Sequence, residues 1–259
     1  MSGSPWSYKF VLLLTLAVII SCSADKFDQL YTEIDEHADS EPDGSSGCTK
    51  DYEVDHILLA ITWTPGFFVT SKVGHSISKV KEPKLGFTVH GLWPQIRNQR
   101  SQIDCCSKEV FDLRVLRPLD PNLRTYWTAL NGMSPEGFWS FEWQKHGKCA
   151  DRIQGINTLF RYFEFVVRNM QRLHLIETLA EADIVPSDED SYSGAKIVSV
   201  LSEQLKSKVS INCASVRESP MKNALTQVNV CFSTDLKQIN CPFTKRRCLG
   251  EIMFPKTAS

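Results

Sequence analysis

The sequence predicts one domain of mixed helix and strand over about 51–259 of a 259-residue chain, and three observations predict it. Two runs, at 57–63 and 86–90, are apolar and β-branched or alternating, with the length of strands. From Ile156 onward an apolar stripe recurs at helical spacing. Eight cysteines spread over 48–248 suit a cross-linked globule. With 42% hydrophobic and 23% charged residues, the composition excludes a chiefly disordered or fibrous protein. A net charge of −1 and a pI near 6.6 exclude a protein that coats nucleic acid through a whole-molecule positive field.

In chain order, residues 1–24 read as a secretory signal peptide: a polar start with Lys9, an apolar stretch at 10–20, and Cys22-Ser23-Ala24 resembling a cleavage site. That stretch is well short of the roughly 20 residues a spanning helix needs, so no membrane association is expected after its removal. Residues 25–50 set eight acids against Lys26 and Lys50 and read as an acidic flexible leader. A propeptide masking a basic cleft is the alternative, since 51–259 is net basic. The run at 57–63 is a buried strand, and 86–90 is a second strand ending in His90. Leu159, Phe160, Phe163, Val166, Val167, Met170 and Leu173 mark an amphipathic helix whose aromatic stripe is assigned to core packing. Pro186 breaks that pattern. Ser193 is placed to cap another helix carrying Ala195, Val198, Leu201 and Leu205, and the tail then turns extended and cysteine-rich.

Removing residues 1–24 takes Cys22 and leaves Cys48, Cys105, Cys106, Cys149, Cys213, Cys231, Cys241 and Cys248. In an oxidising compartment such a set forms disulfides. Structural zinc is disfavoured, because Cys231, Cys241 and Cys248 are ten and seven residues apart and no C-x-x-C occurs. No metal or other cofactor is expected. Lys245-Arg246-Arg247, between two of these cysteines, reads as a solvated loop, with contact to phosphates as the alternative.

Two segments carry chemistry: Phe87-Thr88-Val89-His90-Gly91-Leu92-Trp93-Pro94 and Phe138-Trp139-Ser140-Phe141-Glu142-Trp143-Gln144-Lys145-His146-Gly147-Lys148-Cys149. If the second is helical, Glu142, Lys145 and His146 stand at i, i+3 and i+4 and share a face. A carboxylate, an ammonium and an imidazole at one spot suit phosphoryl transfer, which needs a proton-transfer group beside charges that stabilise a developing oxyanion. Taken alone, the triplet also fits a surface ion pair beside a solvated histidine. His90 and Trp93 taken alone also fit a strand end and a core filler.

Together, in this order and separation, the two segments resemble the active-site signatures of the ribonuclease T2 family of secreted acid ribonucleases. The resemblance extends over about 51–245 through the run at 57–63, the helix around Tyr162-Phe163, Ser191-Tyr192-Ser193 and the Cys231 to Cys241 tail. It implies an α+β fold with a central antiparallel β-sheet flanked by helices. It also implies metal-independent endonucleolytic cleavage of single-stranded RNA through a 2',3'-cyclic phosphate, with His146 as general base and His90 as general acid. Lys145 and Glu142 would then stabilise or orient the pentacovalent phosphate, and Trp93 matches a base-stacking aromatic. Gln95 stands where many relatives carry an acid that reads the base. DNA, lacking the 2'-hydroxyl, is not expected to be cut. By the same resemblance Cys231 pairs with Cys241, Cys213 with Cys248, and Cys149 with Cys105 or Cys106, leaving Cys48 for the adjacent cysteine.

Two departures from the family pattern stand out. Phe141 occupies a position where relatives commonly carry a third histidine, thought to bind substrate phosphate, and the cysteine usual after the first Trp-Pro is missing from Trp63-Thr64-Pro65-Gly66-Phe67-Phe68. The expectation is therefore a secreted, monomeric endoribonuclease weakened in substrate binding or turnover, with an endolysosomal destination as a variant. A catalytically silent secreted binding or signalling protein is the alternative. A metal-dependent hydrolase built on His90, Glu142 and His146 lacks a paired ligand motif such as H-E-x-x-H.

Overall fold

The computed structural model describes residues 48, 52–70, 85–96, 105–217, 219–242 and 248–258. The expected signal peptide, nearly all of the acidic leader and the basic cluster at 245–247 lie outside them. Seven strands form one sheet among the described residues: β1 (Val54–Trp63), β2 (Phe87–Ile96), β3 (Ser191–Ser193), β4 (Ser210–Val216), β5 (Ser219–Phe232), β6 (Gln238–Ile239) and β7 (Glu251–Met253). The main path runs β2-β1-β5-β7-β3, with β4 and β6 also pairing β5. Every pairing is antiparallel except a short parallel contact at Ala224 and Met253, so the expected antiparallel sheet carries one parallel addition.

β1 begins earlier than its apolar run because pairing with β2 extends to Val54 and Ile96. β2 likewise does not stop at His90 but runs on to Ile96. Pro94 is tolerated there because β2 ends the strand order and needs no further backbone donor on its outer side.

Seven helices flank the sheet among the described residues. Those are α1 (Thr64–Thr70), α2 (Leu113–Leu116), α3 (Asp120–Tyr126), α4 (Pro135–Lys145), α5 (Leu159–Leu173), α6 (Leu175–Ala180) and α7 (Gly194–Leu205). The long amphipathic helix starts at Leu159 rather than Ile156, because Thr158 is extended and its side chain accepts from the Arg161 N–H. Its apolar stripe is core: Leu159, Tyr162, Phe163 and Val166 are fully buried. Ser193 caps α7 as expected, yet the buried face is Ile197, Val198 and Leu201 while Ala195 is exposed. The short α2 and α3 lack an apolar period and are set by caps and prolines, Asp112 before α2 and Pro121 early in α3. Trp127, Trp139, Trp143, Tyr162, Phe138 and Phe163 are the bulkiest fully buried side chains, each worth roughly 1.5–3 kcal/mol of burial.

Four disulfides close the fold: Cys48–Cys106, Cys105–Cys149, Cys213–Cys248 and Cys231–Cys241. The choice left open between the adjacent cysteines falls to Cys105 for Cys149 and Cys106 for Cys48. No helix among the described residues is long and apolar enough to cross a membrane.

Candidate active site

The strand side of the site begins with a bulge. On β1, Ala60 faces Gly91 while the next residue, Ile61, faces Val89, so His90 is the extra residue on β2. A bulge breaks the two-residue alternation and re-aims a side chain that a regular strand would direct otherwise. The carbonyl that the bulge takes out of the ladder is not wasted, because the Trp127 indole N–H donates to it at 3.0 Å. Trp127 is itself held from two directions. Its carbonyl accepts from the Trp139 indole of α4 at 2.9 Å, and Thr88 of β2 bonds both Tyr126 and Thr128 on either side of it.

The helix side comes from α4. Ser134 caps it, accepting from the Gly137 N–H at 3.0 Å, and Pro135 begins it. The helix ends at Lys145, and the backbone N–H of His146 donates to the Glu142 carbonyl at 2.9 Å. Glu142 and His146 therefore lie one turn apart on one face, as their spacing predicts. Phe138, Trp139 and Trp143 drive that helix into the core, and they carry Glu142 down with them to 1% exposure. A carboxylate so buried must be hydrogen-bonded.

The two sides meet at Trp93. Its indole N–H donates to Glu142 Oε2 at 3.0 Å, and His146 Nε2 lies 3.9 Å from the same oxygen. The Trp93 ring touches both histidines, edge-on to His90 at 4.7 Å and tilted against His146 at 5.1 Å between centroids. Both glycines of the two segments are required by close approach. A Cβ on Gly91 would sit 2.1 Å from Glu142 Oε2 and from Trp93 Nε1, and one on Gly147 would sit 2.3 Å from the Trp143 ring.

Burial, then the neighbouring charges of His90 and Lys145, push the His146 imidazole well below its ordinary value. Those causes outweigh the carboxylate of Glu142. Tyr162 on α5 packs edge-on against Trp143, donates a hydrogen bond from its hydroxyl to the Leu92 carbonyl, and is driven well above the ordinary phenol value by burial and by the charge of Glu142.

Of the residues expected from sequence, His90, Trp93, Glu142 and His146 thus converge, with Lys145 close enough for its charge to bear on His146. The Lys145 ammonium also lies over the Phe141 ring, one turn back on α4, at 5.1 Å. Gln95 stands two residues beyond Trp93, its side-chain amide turned back onto the Trp93 carbonyl at 3.3 Å. Trp93 is only 6% exposed, so its ring faces are largely taken up by the protein.

Sequence reasoning missed Gln227, whose Oε1 lies 3.0 Å from His90 Nδ1, together with the bonding roles of Trp127 and Tyr162. The signal for Gln227 was the alternation Gln227-Val228-Asn229-Val230, which puts two amides on one face of an otherwise apolar strand. No group of three or more His, Cys, Asp or Glu side chains among the described residues is placed to hold a metal ion.

Comparison with known proteins adds the following. A model of the Ribonuclease T2 family matches residues 54–241. Ribonuclease 3 of Arabidopsis thaliana is 28% identical over 208 residues, 79% of this chain and 90% of that protein. Ribonuclease DdI of Dictyostelium discoideum is 30% identical over 175 residues, 66% of this chain and 74% of that one. Among solved structures, RNase NT in complex with 5'-AMP superposes with a TM-score of 0.66 at 23% identity, over 78% of this chain and 98% of that one, a likeness of fold.

Proposed function

The chain belongs to the ribonuclease T2 family, and we propose from that premise that this T2-type ribonuclease cleaves single-stranded RNA by transphosphorylation at the two-histidine site. The observation that carries the reading is the convergence of two imidazoles on Trp93, one of them held neutral by its surroundings into the acidic range. His146, neutral, takes the proton of the ribose 2'-hydroxyl as the 2'-oxygen attacks phosphorus. The bond from phosphorus to the 5'-oxygen breaks, and His90, charged, gives its proton to that oxygen. The products are a 2',3'-cyclic phosphate and a 5'-hydroxyl. Each general acid or base step is worth typically 10²–10⁴-fold.

His146 becomes an imidazolium during the step, and Glu142, 3.9 Å away and fixed by Trp93, stabilises it there. In this reading Glu142 serves the base as well as orienting the phosphate. Lys145 supplies positive charge for the pentacovalent phosphate. Trp93, so covered, enters as the ring that packs against both imidazoles, and a base would stack on it only where its face is opened. The chemistry requires one histidine charged and the other neutral, so activity favours acidic pH. No step requires a metal, and DNA offers no nucleophile. The domain over 51–259, secretion directed by residues 1–24 and a monomeric state complete the reading.

The test is cleavage of single-stranded RNA by disulfide-intact protein with chelator present, from about pH 4 to pH 8, beside His146→Ala. Acid-favoured release of cyclic phosphate that the variant lacks is expected. The alternative, a silent binding protein, draws on the Lys145 ammonium resting on Phe141 instead of a phosphate-binding histidine beside it. Folded wild type inactive at every pH would overturn the enzyme reading and move this one to first place.

A further inference from the structure

Gln227 and Asn229 lie two apart on β5, where the strand is paired on both sides, by β1 and by β4. Their side chains are 5% and 4% exposed. Each carboxamide has one donating and one accepting end, so a row of them has a direction. Asn229 Nδ2 donates to Ser210 Oγ at 3.1 Å and to Asn212 Oδ1 at 3.4 Å, both on β4. Asn229 is thereby left presenting Oδ1 to Gln227, whose Nε2 donates to it at 2.6 Å. Gln227 in turn presents Oε1 to His90 Nδ1 at 3.0 Å. An amide oxygen only accepts, so Nδ1 must carry a hydrogen whether His90 is charged or neutral, and the proton it exchanges is the one on Nε2.

We infer that Gln227, oriented by Asn229, is a positioning residue that fixes the tautomer of His90 and directs its acid proton to Nε2. The inference rests on the reading of His90 as general acid only in its kinetic consequence; the tautomer itself stands independently. It assigns a task to a buried polar row in the middle of the sheet, 137 residues away in sequence from the histidine it serves. The acceptor is neutral, which distinguishes it from a carboxylate partner: it orients the ring without locking the charge onto it, so the proton can leave. Among the described residues, His146 just past α4 acts on this histidine through charge, and Trp93, in contact with it, bonds Glu142 of α4. Tyr162 of α5 is silent because its phenol is held protonated. β5 contributes the Gln227 amide.

The test reads ring nitrogen chemical shifts of His90 by NMR during a pH titration, together with pH profiles of kcat and KM on single-stranded RNA. In the wild type, neutral His90 carries its hydrogen on Nδ1. In Gln227→Met that preference is lost, and kcat falls about tenfold or more with KM little changed. Gln227→Glu, nearly the same shape, moves the His90 midpoint and the alkaline limb of the kcat profile upward together by about one pH unit or more. Neutral wild-type His90 protonated on Nε2 overturns the inference without need of any variant. So does a folded Gln227→Glu whose His90 midpoint is unmoved. Should RNA cleavage be absent while the tautomer behaves as described, the assignment of His90 as acid fails and the role of Gln227 in setting its tautomer stands.

Discussion

His90 and His146 are the same side chain in two unlike settings. His90 sits on a strand bulge, its carbonyl taken by one indole and its Nδ1 by a neutral amide. His146 sits just past the end of a helix, beside a buried carboxylate, its charge disfavoured by burial and by neighbouring cations. One ring is held by dipoles and the other is governed by burial and charge. In the proposed reaction two groups with the same intrinsic titration thereby take opposite parts of one proton transfer, a division of labour that comes from their surroundings.

The most severe way to break the comparison is to remove either ring. His90→Ala and His146→Ala are each expected to lower kcat for RNA cleavage by about 10²–10⁴-fold, with the folded state intact by circular dichroism. Loss confined to one of them would show that the two are not partners. A wedge between the two sides comes next. Gly91→Ala forces a methyl against Glu142 and Trp93 at 2.1 Å, and a cost of about 1–3 kcal/mol is expected, read as a lower Tm with a loss of activity larger than Gly137→Ala produces.

The two settings also differ in their response to acid. Because His146 is pushed down in the fold, the unfolded chain binds a proton that the folded chain refuses between that lowered value and about pH 6.5. This contribution is fully present above about pH 6.5 and is lost as pH falls through the window, by up to about 1.4 kcal/mol per pH unit. Urea midpoints of His146→Gln should therefore decline less on acidification than those of the wild type, and parallel declines would contradict the burial argument. The smallest expected effect is at Phe141. Phe141→His should raise kcat/KM severalfold by restoring a phosphate contact on α4, and an unchanged value would leave the substitution without consequence for turnover.

The helix side of this site was the more legible from sequence, and the reason is range. Glu142, Lys145 and His146 are brought together by the 3.6-residue period, which is a local property, and the caps at Ser134, Thr158 and Ser193 are local hydrogen bonds of the same kind. The strand side was harder to read. Alternation suggested that β2 stops at His90, whereas pairing with β1 carries it on through the bulge to Ile96. Gly91 likewise stands in the sequence as a plain letter, and only the arrival of α4 over β2 shows that nothing larger fits.

The sequence by itself determined the cores of β1 and β2, the long helix and the capped helix after Ser193, the even set of cysteines and the two segments proposed to carry the chemistry, because composition, period and spacing act over a few residues. Tertiary structure alone decided that Cys105 rather than Cys106 joins Cys149, that the His146 imidazole is pushed down, and that Gln227 meets His90 across 137 residues of chain. Those outcomes depend on how far each group is taken out of water and on what packs against it, and both are set only when distant strands and helices close on one another.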